Sequence, residues 1–303
     1  MDINPKVGII LPTYNSSETL GRAISSVLSQ TYDNFELVII DNYSCDDTIS
    51  IVDSYKDDRI KYYLFENGGV VAKSRNYAMS LLECEYVALL DSDDYWMPTK
   101  LKDSLYFLVK GYDIVYHKMR IKYSSKPKSW FKRNYLNTRQ LKSPVSIGLL
   151  SGLGVIPNSS LVIRVSLIRR DKMYLEDRDI IACEDLELLL YLAQFTQKFK
   201  YIGKTLGCYT IGYNNLSNRD MSVPFFIVLD KYAGSFDSLT MKFFKDYGNY
   251  VKGKYLYWRN DYKNAKIQFL KVIESRNLHF LIRSVSWFGR VQLLQLYSKL
   301  GKL

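Results

Sequence analysis

Three apolar runs in the first part of the chain each end at a polar cluster, and this pattern constrains the fold more than any other feature. The runs and the clusters that follow them are Lys6–Leu11 before Pro12-Thr13-Tyr14-Asn15, Phe35–Ile40 before Asp41, and Tyr86–Leu90 before Asp91-Ser92-Asp93-Asp94. Short, continuous apolar runs are typical of strands that are buried on both faces of a parallel sheet. Because the carboxyl ends of such strands share one edge, the three clusters are predicted to meet in one crevice.

Segments with helical periodicity separate these runs. Helices are predicted behind Asn15-Ser16-Ser17-Glu18, which has the spacing of a capping box, and over Asp47–Tyr55, Val71–Leu82 and Pro98–Leu108. Two more strands are predicted at Ile60–Leu64 and Asp113–His117. This alternation predicts an α/β fold with a doubly wound, mostly parallel sheet. Past Pro224 the pattern is helical throughout, so we predict a sheet domain over 1–220 and a helical region over 221–303.

Cysteine spacing, the lengths of apolar stretches and net charge limit the location and the partners expected for this protein. Cys45, Cys84, Cys183 and Cys208 lie far apart without CxxC spacing, so we expect reduced thiols in a cytoplasmic protein. The N-terminus lacks a signal-peptide pattern, and no apolar stretch reaches the roughly 20 residues of a spanning helix. The net charge of +11 suits nucleic acid, anionic lipid or phosphorylated substrates. Nucleic acid is not an expected partner, because no nucleic-acid-binding motif accompanies the charge.

Asp91 and Asp93 form a D-x-D pair directly after an apolar run. This spacing lets two carboxylates reach one hard cation, and Mg²⁺ or Mn²⁺ held there can neutralise a diphosphate as it leaves. A polar turn that caps the helix opening near Pro98 would use the same residues. The position after a buried strand, with Asp41 at a neighbouring strand end, favours the metal site.

Six motifs resemble those of the bacterial family 2 glycosyltransferases in their order and spacing, and they cover about the first 215 residues. They are PTYN (Pro12–Asn15), IIDNYSCDDT (Ile39–Thr48), SRN (Ser74–Asn76), LLDSDDYW (Leu89–Trp96), SSLVIR (Ser159–Arg164) and CED (Cys183–Asp185). The resemblance implies the GT-A fold and an inverting, metal-dependent transfer of a sugar from a nucleotide-sugar.

The resemblance also implies roles for the matching residues. Those that would bind the nucleotide are Pro12, Thr13, Tyr14, Asn15, Asp41, Arg75, Asp91 and Ser92. Tyr14 would stack on the base, and Asp41 would accept a hydrogen bond from a uracil ring nitrogen, which favours UDP donors. Arg75 would lie near the diphosphate or the uracil.

For the remaining matches, the resemblance implies that Asp93 binds the metal directly, that Asp91 binds the ribose or lies in the second coordination shell of the metal, and that Asp185 is the catalytic base. Glu184, Ser159 and Ser160 would face the acceptor. An inverting transfer needs one base that removes a proton from the attacking hydroxyl, and a held carboxylate can serve. Asp185 lies where a helix is predicted to begin, so the helix N-terminus is expected to lower its pKa. From the residues alone, Glu184 and Asp185 could equally be first-turn residues that complement the helix dipole.

Two motifs depart from the family pattern. The segment Asn67–Asn76 is one residue longer than usual, so no role is transferred to Asn67. The Arg and His that often precede a Leu-Ser pair are missing before Leu216-Ser217, and Lys204 is a candidate for the lost phosphate contact.

Two further segments suggest contacts outside the crevice. Lys118–Lys142 contains nine Lys or Arg and no acid, interleaved with Trp130, Phe131 and Tyr135. This segment fits either a solvated loop or a surface for anionic lipid or pyrophosphate. Gly253–Phe269 resembles one tetratricopeptide unit, and the apolar residues of Phe280–Leu300 suit burial in a helical subdomain, a homo-oligomer or a membrane surface.

The expected function is therefore β-linked transfer of a hexose, with glucose or galactose favoured, from a UDP-sugar in the synthesis of surface polysaccharide such as O-antigen of lipopolysaccharide. The expected acceptor is an N-acetylhexosamine on undecaprenyl pyrophosphate, and Mn²⁺ or Mg²⁺ is the expected cofactor. Two alternatives remain: a scaffold that binds nucleotide without turnover and recruits partners through its helical tail, and a Mg²⁺-dependent phosphatase. Tyr95 occupies the place where such phosphatases usually carry Thr or Val, which argues against the second.

Overall fold

The computed structural model describes residues 4–124, 133–151, 155–168, 173–212, 219–275 and 278–300, and the side chains of the last helix over 280–292. Trp130 and Phe131 of the basic segment lie outside these residues, as does the Leu216-Ser217 pair.

Parallel strands form one half of the sheet. They are β1 (Val7–Thr13), β2 (Phe35–Asp41), β3 (Ile60–Leu64) and β4 (Tyr86–Leu89), in the spatial order β3-β2-β1-β4. β1 pairs in parallel with both β2 and β4, and every residue of β1 is buried. This arrangement confirms the predicted α/β fold with a mostly parallel sheet, because helical crossovers cover both faces of such strands.

The other half contains antiparallel pairs that the sequence patterns did not indicate. Its strands are β5 (Tyr95–Trp96), β6 (Ile114–Tyr123), β7 (Val162–Arg164) and β8 (Phe199–Ile211), which continue the order as β4-β7-β6-β8-β5. β7 is antiparallel to both β4 and β6. β8 pairs with β6 in parallel along almost the whole of β6. The strand predicted at Asp113–His117 therefore extends to Tyr123, since β8 satisfies its backbone groups that far.

Helices connect the strands close to the predicted positions. They are α1 (Leu20–Leu28), α2 (Thr48–Asp53), α3 (Val71–Leu81), α4 (Lys100–Val109), α5 (Val145–Leu150) and α6 (Glu184–Leu192). α1 shows why these segments are helical: Leu20, Ile24 and Val27 recur at helical spacing, and all three are fully buried in the core of the sheet.

The predicted capping box at Asn15–Glu18 is wrong. α1 begins after Thr19, whose side chain makes no capping hydrogen bond. The amides of Ser16 and Ser17 instead donate to Thr48 Oγ1 and Asp46 Oδ2 in the segment that opens α2. The polar residues at this position join two loops, and a long-range contact of that kind leaves no local sequence pattern.

The C-terminal part of the chain is helical, as predicted. Its helices are α7 (Ser222–Lys231), α8 (Ser238–Trp258), α9 (Tyr262–Glu274) and α10 (Leu278–Leu300). Asp237 and Asp261 cap α8 and α9 by accepting hydrogen bonds from backbone amides. In the described part of the chain, no helix is long and apolar enough to cross a membrane.

The chain divides into two compact units. The first comprises Met1–Leu149, Leu153–Arg178 and Glu184–Tyr213, and the second comprises Leu150–Gly152, Asp179–Cys183 and Asn214–Leu303. The second unit has its own aromatic core around Phe269 and Phe280. A functional boundary at residue 220 stays a prediction.

Candidate active site

The polar clusters at the strand ends meet at one edge of the sheet. Thr13 and Asp41 are register partners at the ends of β1 and β2. Leu90, directly before Asp91, donates its amide to the carbonyl of Ile10 in β1. The hydroxyls of Ser16 and Ser92 lie 2.9 Å apart, which ties the first cluster to the third. The three clusters therefore lie together, as predicted, and their role as one binding site stays a prediction.

Asp41 lies at the end of β2 and is 1% exposed. Its Oδ1 accepts hydrogen bonds from the amide and the hydroxyl of Ser44 at 3.0 and 2.6 Å, and its Oδ2 accepts one from Tyr62 at 2.6 Å. Burial and the Asp41 carboxylate raise the pKa of Tyr62, so Tyr62 stays a donor. A carboxylate offers about four acceptor sites, so the fixed Asp41 keeps capacity for one more N–H donor.

Two tyrosine rings project at these strand ends. Tyr14 is 55% exposed after β1, and Tyr43 is 59% exposed after β2. Tyr43 has a φ of 57°, a left-handed conformation that is uncommon for a bulky side chain. The sequence patterns pointed to Tyr14 and missed Tyr43, although its place two residues after Asp41 was a usable signal. Either ring offers a face on which a planar base can stack.

Asn15 has a structural task at this edge. Its backbone is also left-handed, with a φ of 47°. Its Oδ1 accepts a hydrogen bond from the amide of Cys45 at 2.9 Å, and its own amide donates to Ser44 Oγ at 2.8 Å. Asn15 thus joins the loop after β1 to the loop after β2. The Oγ1 of Thr13 is buried and has no hydrogen-bond partner among the described residues.

The aspartates after β4 carry like charges at short range. Burial and the charge of Asp91 raise the pKa of Asp93 to about 6. Burial, Asp93 and Asp91 also raise the pKa of Asp94, whose Oδ1 accepts a hydrogen bond from the amide of Thr210 at 2.8 Å. Arg22 donates to the carbonyl of Asp93 at 2.8 Å. A cation beside these carboxylates would relieve their repulsion.

The donor set fits a hard cation only in part. Asp91 and Asp93 supply carboxylate oxygens of the kind that Mg²⁺ and Mn²⁺ prefer. The Oδ2 of Asp94 is buried and lacks a partner among the described residues. Within that part of the chain, however, no group of three or more His, Cys, Asp or Glu is arranged to hold a metal. The remaining ligands would have to come from a bound diphosphate and water, as is usual for Mg²⁺.

Arg75 joins the D-x-D segment to the start of α6. Its guanidinium is 2.8 Å from Asp91 Oδ1 and 3.0 Å from Glu184 Oε1, and its side chain is 5% exposed. Burial alone would lower the pKa of Arg75, but Asp91, Tyr174 and Glu184 raise it, so Arg75 stays a cation. Arg75 also lies 5.2 Å from the centroid of the Tyr174 ring. Residues 109 positions apart are thereby held in one cluster.

Asp185 follows Glu184 at the first turn of α6 and is partly exposed. Burial and the neighbouring charge of Glu184 raise the pKa of Asp185 to about 7. The helix N-terminus lowers this pKa as expected, but it does not decide the direction of the net shift. The amide of Leu186 does donate to Asp185 at 2.8 Å, but desolvation and Glu184 outweigh it. Asp185 is therefore a stronger base than a carboxylate in water.

Ser159 and Ser160 lie behind the crevice, since both are fully buried. Ser159 accepts hydrogen bonds from the amide of Asp91 at 3.1 Å through its hydroxyl and from the Trp96 indole at 2.7 Å through its carbonyl. The Ser160 hydroxyl donates to the carbonyl of Pro157. We therefore replace the expected acceptor contact of Ser159 with support of Asp91, and that of Ser160 with a contact inside its own turn.

Lys204 and Asn67 are occupied by contacts within the chain. Lys204 Nζ lies 2.7 Å from Asp103 and 3.0 Å from Thr99 at the start of α4. Asn67 is buried and bonds to Ser74 and to the amide of Gly69. Within the described part of the chain, Lys204 contacts none of the residues at the strand ends, so the family's missing phosphate contact has no assigned replacement.

Comparison with known proteins gives a family match. The family model described as glycosyl transferase family 2 matches residues 8–170. Escherichia coli WfaP, a UDP-Glc:alpha-D-GlcNAc-diphosphoundecaprenol beta-1,3-glucosyltransferase, is 40% identical over 102 residues, which are 34% of this chain and 41% of WfaP. Escherichia coli WfgD, of the same description, is 38% identical over 117 residues, which are 36% of this chain and 46% of WfgD. The chain thus aligns with less than half the length of these two relatives.

Solved structures extend the likeness to the whole fold. S. aureus TarS 1-349, solved in complex with UDP-GlcNAc, has a TM-score of 0.65 at 19% identity, covering 97% of this chain and 92% of that one. The mannosyltransferase PcManGT of Pyrobaculum calidifontis, solved with GDP-Man and Mn²⁺, has a TM-score of 0.62 at 13% identity, covering 97% and 84%. At such low identity the likeness establishes the GT-A fold alone.

Proposed function

Since the chain belongs to the family 2 glycosyltransferases, we propose that it is an inverting hexosyltransferase that uses a UDP-sugar donor. The observation that carries this proposal is the bridge formed by Arg75. It holds Asp91, at the proposed nucleotide side, within one cluster with Glu184 and therefore with the neighbouring Asp185. The donor diphosphate would lie on the side of Asp91, and the acceptor hydroxyl would lie beside Asp185.

The nucleotide side suits uridine. Asp41, held by Ser44 and Tyr62, has one acceptor site left, and a uracil ring nitrogen would supply the N–H donor for it. Tyr14 and Tyr43 supply exposed rings for stacking on the base. Asp93, together with Asp91, would hold Mn²⁺ or Mg²⁺, which neutralises the charge of the departing diphosphate.

Asp185 would act as the base in the transfer step. Its carboxylate would remove the proton from the acceptor hydroxyl while that oxygen attacks the anomeric carbon from the face opposite UDP. The new C–O bond forms as the bond to the UDP oxygen breaks, so an α-linked donor yields a β-linked product. The raised pKa of Asp185 suits this task, because a base works best when its pKa lies near the working pH.

The acceptor proposal draws on two relatives. WfaP and WfgD are described as glucosyltransferases that act on GlcNAc-diphosphoundecaprenol. We propose an N-acetylhexosamine on a lipid pyrophosphate as the acceptor, and glucose ahead of galactose as the donor sugar, within surface polysaccharide synthesis. Glu184 is proposed to lie next to the acceptor through its neighbour Asp185; its own Oε2 is buried and has no partner among the described residues.

UDP release from a panel of UDP-sugars tests the proposal. The assay contains Mn²⁺ and a synthetic N-acetylhexosamine–pyrophosphate–lipid, and Asp185→Asn is the matched variant. We expect release from one donor that depends on the acceptor and falls by at least about 10²-fold in the variant. Metal-dependent UDP binding without release from any donor would instead favour a nucleotide-binding scaffold. Equal release in Asp185→Asn would remove Asp185 as the base.

A further inference from the structure

The positive charge of the protein is concentrated in its C-terminal part. Residues 219–303 contain 15 Lys or Arg and six Asp or Glu, so they carry +9 of the net charge of +11. The proposed catalytic residues all lie before this part. The remainder of the chain, including the basic segment at 118–142, is close to neutral as a whole.

The surface of helices α8 to α10 is cationic. Over the residues whose side chains are described, 238–275 and 280–292, seven Lys or Arg are exposed and a single acid, Glu274, is exposed. Two other acids in this range serve the fold: Asp246 is buried beside Ser275, and Asp261 caps α9. Acidic groups therefore do little to balance these cations at the surface.

α10 adds an exposed apolar stripe. Ile282 is 78% exposed and Val285 is 50% exposed, although the buried residues Phe280, Ser284 and Val291 show that the opposite face already packs into the unit. Ile282 and Val285 are three residues apart and so share the outer face of the helix. Arg283 and Arg290 are exposed at the edge of this stripe.

An exposed indole contacts α10 through Trp287. Trp258, at the end of α8, is 67% exposed, and its ring centroid is 6.0 Å from that of Trp287 in α10. The guanidinium of Arg290 lies 5.1 Å from the Trp287 ring on the same helix. We name this surface the α10 patch and define it by its exposed residues, which are Trp258, Ile282, Arg283, Val285 and Arg290.

We propose that the α10 patch binds the surface of a lipid bilayer that contains anionic lipid. Indole rings favour the boundary between head groups and acyl chains, and aliphatic side chains beside them enter the apolar layer. Arginines at the edge of the stripe would bind lipid phosphates, to which guanidinium groups donate paired hydrogen bonds. A hydrophobic stripe edged by cations matches an anionic bilayer in both chemistry and charge. The α10 patch shares no residue with the basic segment, and its argument does not rest on the proposed function.

Co-sedimentation with vesicles tests this proposal on the full chain. Vesicles of phosphatidylcholine, with and without phosphatidylglycerol, are compared for the wild type, Arg283→Glu/Arg290→Glu and Trp258→Ala/Ile282→Asn. The matched control is Lys242→Glu/Lys245→Glu, which makes the same charge change at exposed positions near the start of α8. We expect wild-type binding that requires phosphatidylglycerol and weakens with salt, a loss of about tenfold or more in both patch variants, and a smaller loss in the control.

Two further measurements distinguish a loss of vesicle binding from unfolding and from a loss of transferase activity. The melting temperature of each variant shows whether it is folded, and UDP release with a water-soluble acceptor shows whether the transferase is intact. The proposal is overturned if folded patch variants sediment like the wild type, if the control loses as much binding as Arg283→Glu/Arg290→Glu, or if neutral vesicles bind equally well. It is also overturned if Arg120→Glu/Lys122→Glu, in the basic segment, abolishes binding while the patch variants keep it.

Discussion

Arg75 holds together two carboxylates that would otherwise repel each other. Asp91 and Glu184 both bond to its guanidinium, and the pair with Glu184 is almost fully buried. Removing one partner of such a buried pair leaves an uncompensated charge, which typically costs about 3–5 kcal/mol. The same cluster sets the basicity of Asp185, because Glu184 raises the pKa of Asp185 while Arg75 lowers it. Arg75 and Glu184 therefore affect both the stability of the fold and the pKa of the proposed base.

The pH dependence of turnover should report this coupling. Because the pKa of Asp185 is raised to about 7, its basic form is lost as the pH falls through that value, and kcat/KM should fall with it. In Glu184→Gln the pKa of Asp185 should drop, so the acidic limb of the profile should move to lower pH. Glu187→Gln, the same change three residues further along α6, is the control. An unmoved limb in Glu184→Gln, or an equal shift in both variants, would contradict the proposed coupling.

Lys100 is a buried basic residue whose replacement should change the stability of the fold. Its side chain is fully buried against the Trp96 ring, 3.7 Å from the ring centroid, and burial lowers its pKa well below the usual value. A lysine with a lowered pKa destabilises the fold wherever the unfolded chain would be protonated, which is below a pH of about 10.4. Lys100→Met should therefore be more stable than the wild type at pH 7, by about 1 kcal/mol or more. This advantage should shrink as the pH rises towards 10.

Urea unfolding at several pH values measures the effect. Lys102→Met, at an exposed position of the same helix, is the control and should stay within about 0.5 kcal/mol of the wild type. A constant difference between Lys100→Met and the wild type across this pH range would show that Lys100 is protonated in the folded protein, held by Trp96 and the carbonyl of Leu161.

Helices α8 and α9 of the C-terminal unit pack closely against each other. Gly253 is buried in the C-terminal half of α8, and a Cβ placed there would lie 2.7 Å from the ring of Phe269 in α9. Glycine weakens a helix by about 1 kcal/mol relative to alanine, so its presence here reflects the packing of Phe269. The resemblance of this segment to a tetratricopeptide unit thus has a physical counterpart in a small residue that faces an aromatic ring.

Two glycine substitutions should act in opposite directions. Gly253→Ala should lower the free energy of unfolding by about 1–3 kcal/mol, because the added methyl group overlaps Phe269. Gly289→Ala in α10 should raise it by up to about 1 kcal/mol, since nothing lies within 4 Å of the added Cβ. Denaturant unfolding of both variants measures the difference. Stabilisation by Gly253→Ala would mean that α8 and α9 are farther apart than described.

In the whole molecule, the proposed catalytic residues and most of the net positive charge belong to different compact units. Asp41, Arg75, Asp93 and Asp185 belong to the first compact unit, which contains the sheet. The second unit has a separate aromatic core and most of the net positive charge. The proposed donor site and the proposed bilayer-binding patch can therefore be altered independently, and measurements on the two can be compared.

Nucleotide binding should stabilise the protein in a metal-dependent way. UDP with Mn²⁺ should raise the melting temperature of the wild type, and a ligand at about 100 times its Kd contributes about 2.7 kcal/mol. Asp93→Ala should lose most of this shift, because it removes the proposed metal ligand. Asp58→Ala, which removes an exposed acid, should retain the shift. Differential scanning fluorimetry measures all three proteins, and a full shift in Asp93→Ala would exclude Asp93 as the metal ligand.

Local patterns in the sequence were sufficient for the parallel half of the sheet. The apolar runs predicted β1, β2 and β4, and the helical periodicity predicted α1 and α3, since burial on both faces or on one stripe leaves a signal within a few residues. The polar residues at the strand ends predicted the crevice for the same reason. The family motifs indicated a glycosyltransferase, and the family match to residues 8–170 bears this out.

The tertiary structure alone decided what those residues can do together. No local pattern indicated the pairing of β8 with β6, the bridge from Arg75 to Glu184, or the burial of Ser159 behind Asp91. The net direction of the Asp185 pKa shift was not predicted, because the helix N-terminus is visible in the sequence whereas the surrounding protein is not. Hydrogen bonds, desolvation and charge interactions depend on distances in space, and residues far apart in the chain acquire those distances only when it folds.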